Sequence, residues 1–64
     1  MVNLSYKEET AVRMIAQGKT NREIGIFLNR TEEGTKNFMR KLYDKLGMDN
    51  RLEVSMWAVK HLTL

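Results

Sequence analysis

"NRTEEGTKNFMRKLYDKLG", residues 29–47, carries a start signal, a stop signal and one continuous amphipathic pattern between them. Thr31 suits the cap of a helix, and Glu32 and Glu33 suit the positive end of its dipole. Thr35, Phe38, Leu42 and Leu46 fall on one apolar stripe with Met39 at its margin, while Lys36, Asn37, Arg40, Lys41 and Asp44 share the opposite face. Gly47 is suited to the left-handed residue that follows a helix. The spacing therefore predicts a helix over 32–46.

Working outward, the same punctuation recurs. A small polar residue is followed three positions later by glutamate at Ser5-Tyr6-Lys7-Glu8, Thr20-Asn21-Arg22-Glu23 and Asn50-Arg51-Leu52-Glu53. In each, the cap oxygen can accept from a first-turn amide while the glutamate reaches back to the cap's own amide. The fourth start, at Thr31, carries Gly34 where the others carry glutamate, so it holds half of this box. Gly18 closes the first segment as Gly47 closes the third. These signals predict helices over about 6–17, 21–28, 32–46 and 51–62. With connections so short, neighbouring helices must pack on one another. The expected core is Ala11, Val12, Ile15 and Met14 from the first helix, and Ile24 and Leu28 from the second, where Gly25 allows close approach. The fourth adds Val54, Trp57, Ala58 and His61.

The chain has 64 residues, which makes residues 1–64 one all-α domain near the lower limit for folding without staples. It has no cysteine and one histidine, so neither a disulfide framework nor a cysteine-based zinc site is expected, and no cofactor or catalytic residue is assigned. So small a core leaves little room for a deep pocket, which argues against an enzyme. Eleven Lys and Arg against eight Asp and Glu give a net charge of +3, a mild bias toward polyanions. No apolar run is long enough to span a membrane, and the start "MVNLSYKEET" lacks a cationic segment followed by an apolar one. No membrane association and a cytoplasmic location are the resulting expectations.

A short helix, a turn of about three residues and a longer helix with a polar outer face form a helix-turn-helix pattern. Asn29 suits that turn because asparagine tolerates the left-handed conformation. The bases of the third helix could reach phosphates, with Asn37 or Arg40 reaching base edges. Charge alone does not decide this: over residues 31–47 four bases face three acids, and Glu33 would repel a phosphate.

The order of residues resembles the LuxR/GerE-type helix-turn-helix domain, the DNA-binding output module of many bacterial transcription regulators. The resemblance rests on "LSYKEETAVRMIAQGKTNREIGIFL", then "TEEGTKNFMRKLYDKLG", then "NRLEVSMWAVKH". It implies a compact four-helix domain whose third helix enters the major groove. By analogy Lys36 is a principal DNA contact with Asn37, Arg40 and Lys41 nearby. Thr20, Asn21 and Arg22 brace the phosphate backbone, and Thr31 and Glu33 complete the DNA-facing set. Pairing through the fourth helix would involve Val54, Met56, Trp57 and Lys60 in some combination.

This chain departs from the family's usual T-V-K-x-H at the start of that helix, having Gly34-Thr35-Lys36-Asn37-Phe38. A buried hydroxyl at Thr35 needs a partner. Arg30 stands at a commonly apolar position, and Ile26 and Phe27 at commonly polar ones. Either Phe27 or Phe38 fills space left by Gly34 and Thr35, or Ile26 and Phe27 are exposed and mark a protein-binding surface. Gly34 reads as tolerated flexibility at a helix end or as a close approach of backbone to a phosphate or partner. Trp57 reads as core or dimer contact before base-stacking platform, and His61 also as a helix-end residue facing the dipole. Two functions follow. One is a sequence-specific, double-stranded DNA-binding transcription regulator or its DNA-binding domain, possessing a homodimer surface on the fourth helix. The other is a protein-interaction module on the same fold, such as an antagonist that binds a related regulator.

Overall fold

A computed structural model describes residues 3–62; the first two residues of the N-terminal stretch "MVNLSYKEET" and the last two of the 1–64 domain lie outside the described residues. Four helices follow in order: α1 Tyr6–Ala16, α2 Asn21–Leu28, α3 Glu32–Leu46 and α4 Arg51–His61. α1 and α4 end one residue short of the expected 17 and 62, and α2 and α3 have the expected limits.

Each start is built by the local chemistry of its cap. Ser5 Oγ accepts from the Glu8 amide at 3.2 Å, and Glu8 Oε1 accepts from the Ser5 amide at 2.8 Å. Thr20 and Glu23 repeat the exchange at 3.1 and 2.9 Å. At Asn50 the exchange is altered. Its Oδ1 accepts from the Glu53 amide at 3.0 Å, but Glu53 Oε1 takes the Asn50 side-chain amide at 3.4 Å rather than the backbone N–H. Asparagine carries a donor beside its acceptor, so the returning carboxylate meets that donor first. Thr31 Oγ1 accepts from the Gly34 amide at 3.0 Å, with no carboxylate to return the bond.

The stops of α1, α2 and α3 share one geometry, whereas α4 ends at Leu62 in extended backbone. Gly18 at φ 83°, Asn29 at φ 57° and Gly47 at φ 70° are left-handed. After each, two backbone bonds close the helix: Gly18 to Ile15 and Lys19 to Met14, Asn29 to Ile26 and Arg30 to Gly25, Gly47 to Asp44 and Met48 to Tyr43. This paired pattern is the Schellman motif, which satisfies carbonyls that a helix end otherwise leaves open.

α1 packs chiefly on α4, and α2 on α3, with a lighter seam between α1 and α2. Ala11, Val12, Ile15, Ile24, Leu28, Met39, Leu42, Val54 and Ala58 are buried together. The buried stripe of α3 is Thr35, Met39 and Leu42, so Met39 occupies the core place expected of Phe38, while Phe38 and Leu46 are half-buried. The flexible thioether reaches the space between helices, and the rigid ring stays at the edge beneath Arg30, whose guanidinium carbon lies 5.4 Å from the ring centre. His61 is exposed and so is not part of the core; its ring lies 5.1 Å from that of half-buried Trp57.

The α2–α3 seam accounts for Gly25 and Thr35 together. A Cβ on Gly25 would come within 2.6 Å of Thr35 Oγ1. That hydroxyl donates to the Thr31 carbonyl at 2.8 Å, so the buried polar group has its partner inside α3. Gly34 makes no comparably close contact: its Cβ would meet Thr31 Oγ1 at 3.2 Å and Arg30 Cβ at 3.6 Å, with no aromatic atom within 4 Å. Neither Phe27 nor Phe38 therefore fills space at Gly34. Ile26 is 72% exposed and Phe27 39%.

Candidate nucleic-acid interface

Two shallow grooves flank the line where the start of α2 meets the outer face of α3. Asn21, Arg22, Ile26, Arg30 and Lys36 are among the residues lining one; Asn21, Lys36, Arg40 and Tyr43 are among those lining the other. Asn21 and Lys36 belong to both, so the grooves are halves of one surface. The expected brace on α2 and the expected contacts on α3 are thereby neighbours. Asn37 and Lys41 are exposed on α3 but line neither groove. One step along a helix turns a side chain by about 100°, which carries these two round toward the far flank.

The donors on this surface are unequally available. Thr20 gives both its backbone N–H and its hydroxyl to Glu23 Oε1, at 2.9 and 3.2 Å. Thr31 spends its hydroxyl oxygen on the Gly34 amide and its carbonyl on Thr35. Both are caps first. Arg22 forms no ion pair among the described residues, and Lys36 has only a loose one, 3.8 Å from Glu32 with both side chains exposed. Such a pair contributes little and yields readily to a competing anion. The first-turn amides of α2 add the positive end of a helix dipole beside Arg22. Glu33 is exposed and places an acid at the start of α3.

Two carboxylates hold this scaffold from outside the surface. Backbone donation from Ser5, followed by the Lys45 ammonium at 2.9 Å, holds Glu8 below the usual carboxylate range. Backbone and hydroxyl donation from Thr20 does the same for Glu23. The Glu8–Lys45 pair joins the start of α1 to the last turn of α3.

On α4 the expected partner surface needs a correction. Val54 is fully buried in the core and has no surface to offer, because it lies on the side of α4 that packs on the other helices. Trp57 is half-buried against the core. The outer face instead presents Leu52, Met56 and Val59, which are 69%, 64% and 67% exposed, with Lys60 exposed beside them. Leu52 and Val59 were legible as the positions one turn before Met56 and nearly one turn after it. Arg30, another groove residue outside the expected set, was visible as a base in the turn.

A short α2, a left-handed Asn29 turn and a longer α3 with a basic outer face define a helix-turn-helix domain. The chain belongs to the family described as "Bacterial regulatory proteins, luxR family", whose GerE model matches residues 2–58. It is similar to the DNA-binding transcriptional activator DevR/DosR of Mycobacterium tuberculosis, with 30% identity over 57 residues, or 89% of this chain. It is also similar to the probable transcriptional regulator ycf29 of Guillardia theta, with 28% identity over 53 residues, or 83% of this chain. The chain spans about a quarter of the length of these relatives, 26% of each.

Proposed function

We propose that this domain binds double-stranded DNA sequence-specifically as the output module of a cytoplasmic transcription regulator, with α3 in the major groove. The observation that carries the reading is the juxtaposition of Asn21 and Arg22, at the start of α2, with Lys36 and Arg40 on α3. Arg22 and the first amides of α2 take phosphates and fix the register. Lys36 and Arg40 reach base edges, with Asn37 and Lys41 serving the flank. Thr20 and Thr31 support this contact as caps, and Glu33 discriminates against a phosphate placed at its end of α3. Leu52, Met56 and Val59 form the apolar face through which two copies pair, setting half-sites about one DNA turn apart. Similarity to a DNA-binding transcriptional activator supports the reading.

The test is fluorescence anisotropy with a labelled mixed-sequence duplex across a salt series, with the protein's mass measured in the same buffers. Binding should weaken steeply with salt. Lys36→Ala/Arg40→Ala should cost roughly a hundredfold in affinity on a duplex of the preferred sequence selected from the mixed pool, whereas Arg22→Ala should weaken binding to every sequence and flatten the salt slope by about one. Unchanged affinity in that double variant refutes the assignment. Exposed Ile26 and Phe27 support a second reading, a protein-interaction module. In that case the parent fails to bind DNA at low salt, and Ile26→Ser or Phe27→Ser abolishes partner binding.

A further inference from the structure

Arg51 opens α4, yet its guanidinium serves the start of α2. Nη1 donates to Asn21 Oδ1 at 3.2 Å, and Nη2 donates to the Lys19 backbone carbonyl. These bonds span 30 and 32 residues of sequence. Lys19 closes the Schellman motif of α1 through its N–H, so its carbonyl belongs to a well-fixed turn. One planar fork thus ties the Asn21 side chain to that turn.

We infer that Arg51 is a positioning residue for DNA binding, acting by orienting the Asn21 carboxamide toward phosphate. A side-chain amide presents an acceptor at one end and donors at the other, and it turns over freely when nothing holds it. A guanidinium has donors only, so it engages the oxygen of Asn21 and leaves the NH2 pointing away from α4. Phosphate accepts hydrogen bonds and gives none. Arg51 therefore selects the one amide orientation that phosphate can use, before any DNA arrives. Asn21 lines both grooves beside Lys36, so the oriented NH2 belongs to the proposed contact surface. Lysine at 51 would keep the charge but lacks the fork that spans two acceptors. This inference rests on the DNA-binding reading above.

A double-mutant cycle on the full chain tests it, read by anisotropy with a fluorescein-labelled mixed-sequence duplex under conditions where circular dichroism shows every variant folded. Arg51→Lys should weaken binding about three- to tenfold in the parent. In an Asn21→Ala background the same change should have an effect of about twofold or less, because the group it positions is gone. Equal losses in the two backgrounds, or no loss in the parent, overturn the inference while leaving DNA binding intact. A parent that does not bind the duplex at low salt overturns the functional reading, and the inference with it. If Arg51→Lys does not fold, nitrogen relaxation of side-chain amides in the unmodified protein decides. The Asn21 NH2 should be markedly more ordered than that of exposed Asn37, and equal mobility overturns the inference.

Discussion

Gly25→Ala isolates the contact that sets the spacing of α2 and α3. The new Cβ would lie 2.6 Å from Thr35 Oγ1, and 3.6 Å from both Thr35 Cβ and the Arg30 carbonyl oxygen. Non-bonded heavy atoms sit best about 3.5–4 Å apart, so something must move by most of an ångström. Thr35 has little room to do so, being 2% exposed with its hydroxyl bonded to the Thr31 carbonyl at 2.8 Å. If the hydroxyl swings away, a buried donor loses its partner at a cost of about 1–3 kcal/mol. If the helices part instead, overpacking costs about the same. Alanine returns up to about 1 kcal/mol through its helix propensity. The net expectation is a loss of roughly 1–2 kcal/mol, or a fall in Tm of about 5–15 °C for a domain of this size. Urea and thermal unfolding followed by far-UV circular dichroism measure it. Thr35→Ala removes the obstructing oxygen, so in Gly25→Ala/Thr35→Ala the two changes should couple favourably by about 1 kcal/mol or more. A Gly25→Ala protein that melts at or above the parent refutes the reasoning, as does strict additivity in the double variant.

Two further outcomes follow from the helix starts. Gly34→Ala should stabilise by about 0.5 kcal/mol, because alanine favours the helix and exposed Thr31 can yield a few tenths of an ångström to the new Cβ 3.2 Å from its hydroxyl. A lower urea midpoint would show that the Thr31 cap cannot yield. In acid, Glu8 and Glu23 are both held below the ordinary carboxylate value of 4.5, so their contribution to stability is present above that pH and is lost as pH falls through their lower folded values. Urea midpoints measured from about pH 6 to about pH 3 should decline below 4.5, and Glu8→Gln should flatten the decline. An unchanged pH profile in Glu8→Gln would show that its bonds to Ser5 and Lys45 do not contribute.

The helix starts and stops were legible because they are local. Ser5 with Glu8, Thr20 with Glu23, and Gly18 and Gly47 each act within a few residues of themselves, and sequence spacing encodes that range directly. The stripe of α3 was legible in outline and mistaken in one detail. Phe38 and Met39 are adjacent and both apolar, so either can extend the stripe beyond Thr35; packing buries Met39 and leaves Phe38 half-buried at the edge, 5.4 Å from the Arg30 guanidinium of the preceding turn. Val54 and Met56 on α4 were grouped by resemblance, and packing on the other helices separates them into core and surface. The Gly25–Thr35 approach was half visible, as a glycine allowing something near and a hydroxyl needing a partner. The Arg51 fork had no local signal, because both its acceptors lie 30 or more residues away.

These contacts matter together because the proposed surface is composite. Its α3 half must keep one distance and angle to its α2 half, or phosphate and base contacts cannot form at once. The Gly25–Thr35 approach fixes the bodies of α2 and α3 against each other, and the bonds from Arg30 to Gly25 and Asn29 to Ile26 fix the turn between them. Neither controls the outermost side chains. At that level Glu8–Lys45 ties the far end of α3 to α1, and Arg51 ties the near end of α2 to the α1 turn. The two kinds of contact should therefore separate by experiment. Loosening the buried seam by Gly25→Ala lowers stability and displaces both halves of the surface. Cutting the Arg51 fork leaves the helices in register and removes one oriented donor, so its signature is lost affinity that disappears when Asn21 is absent.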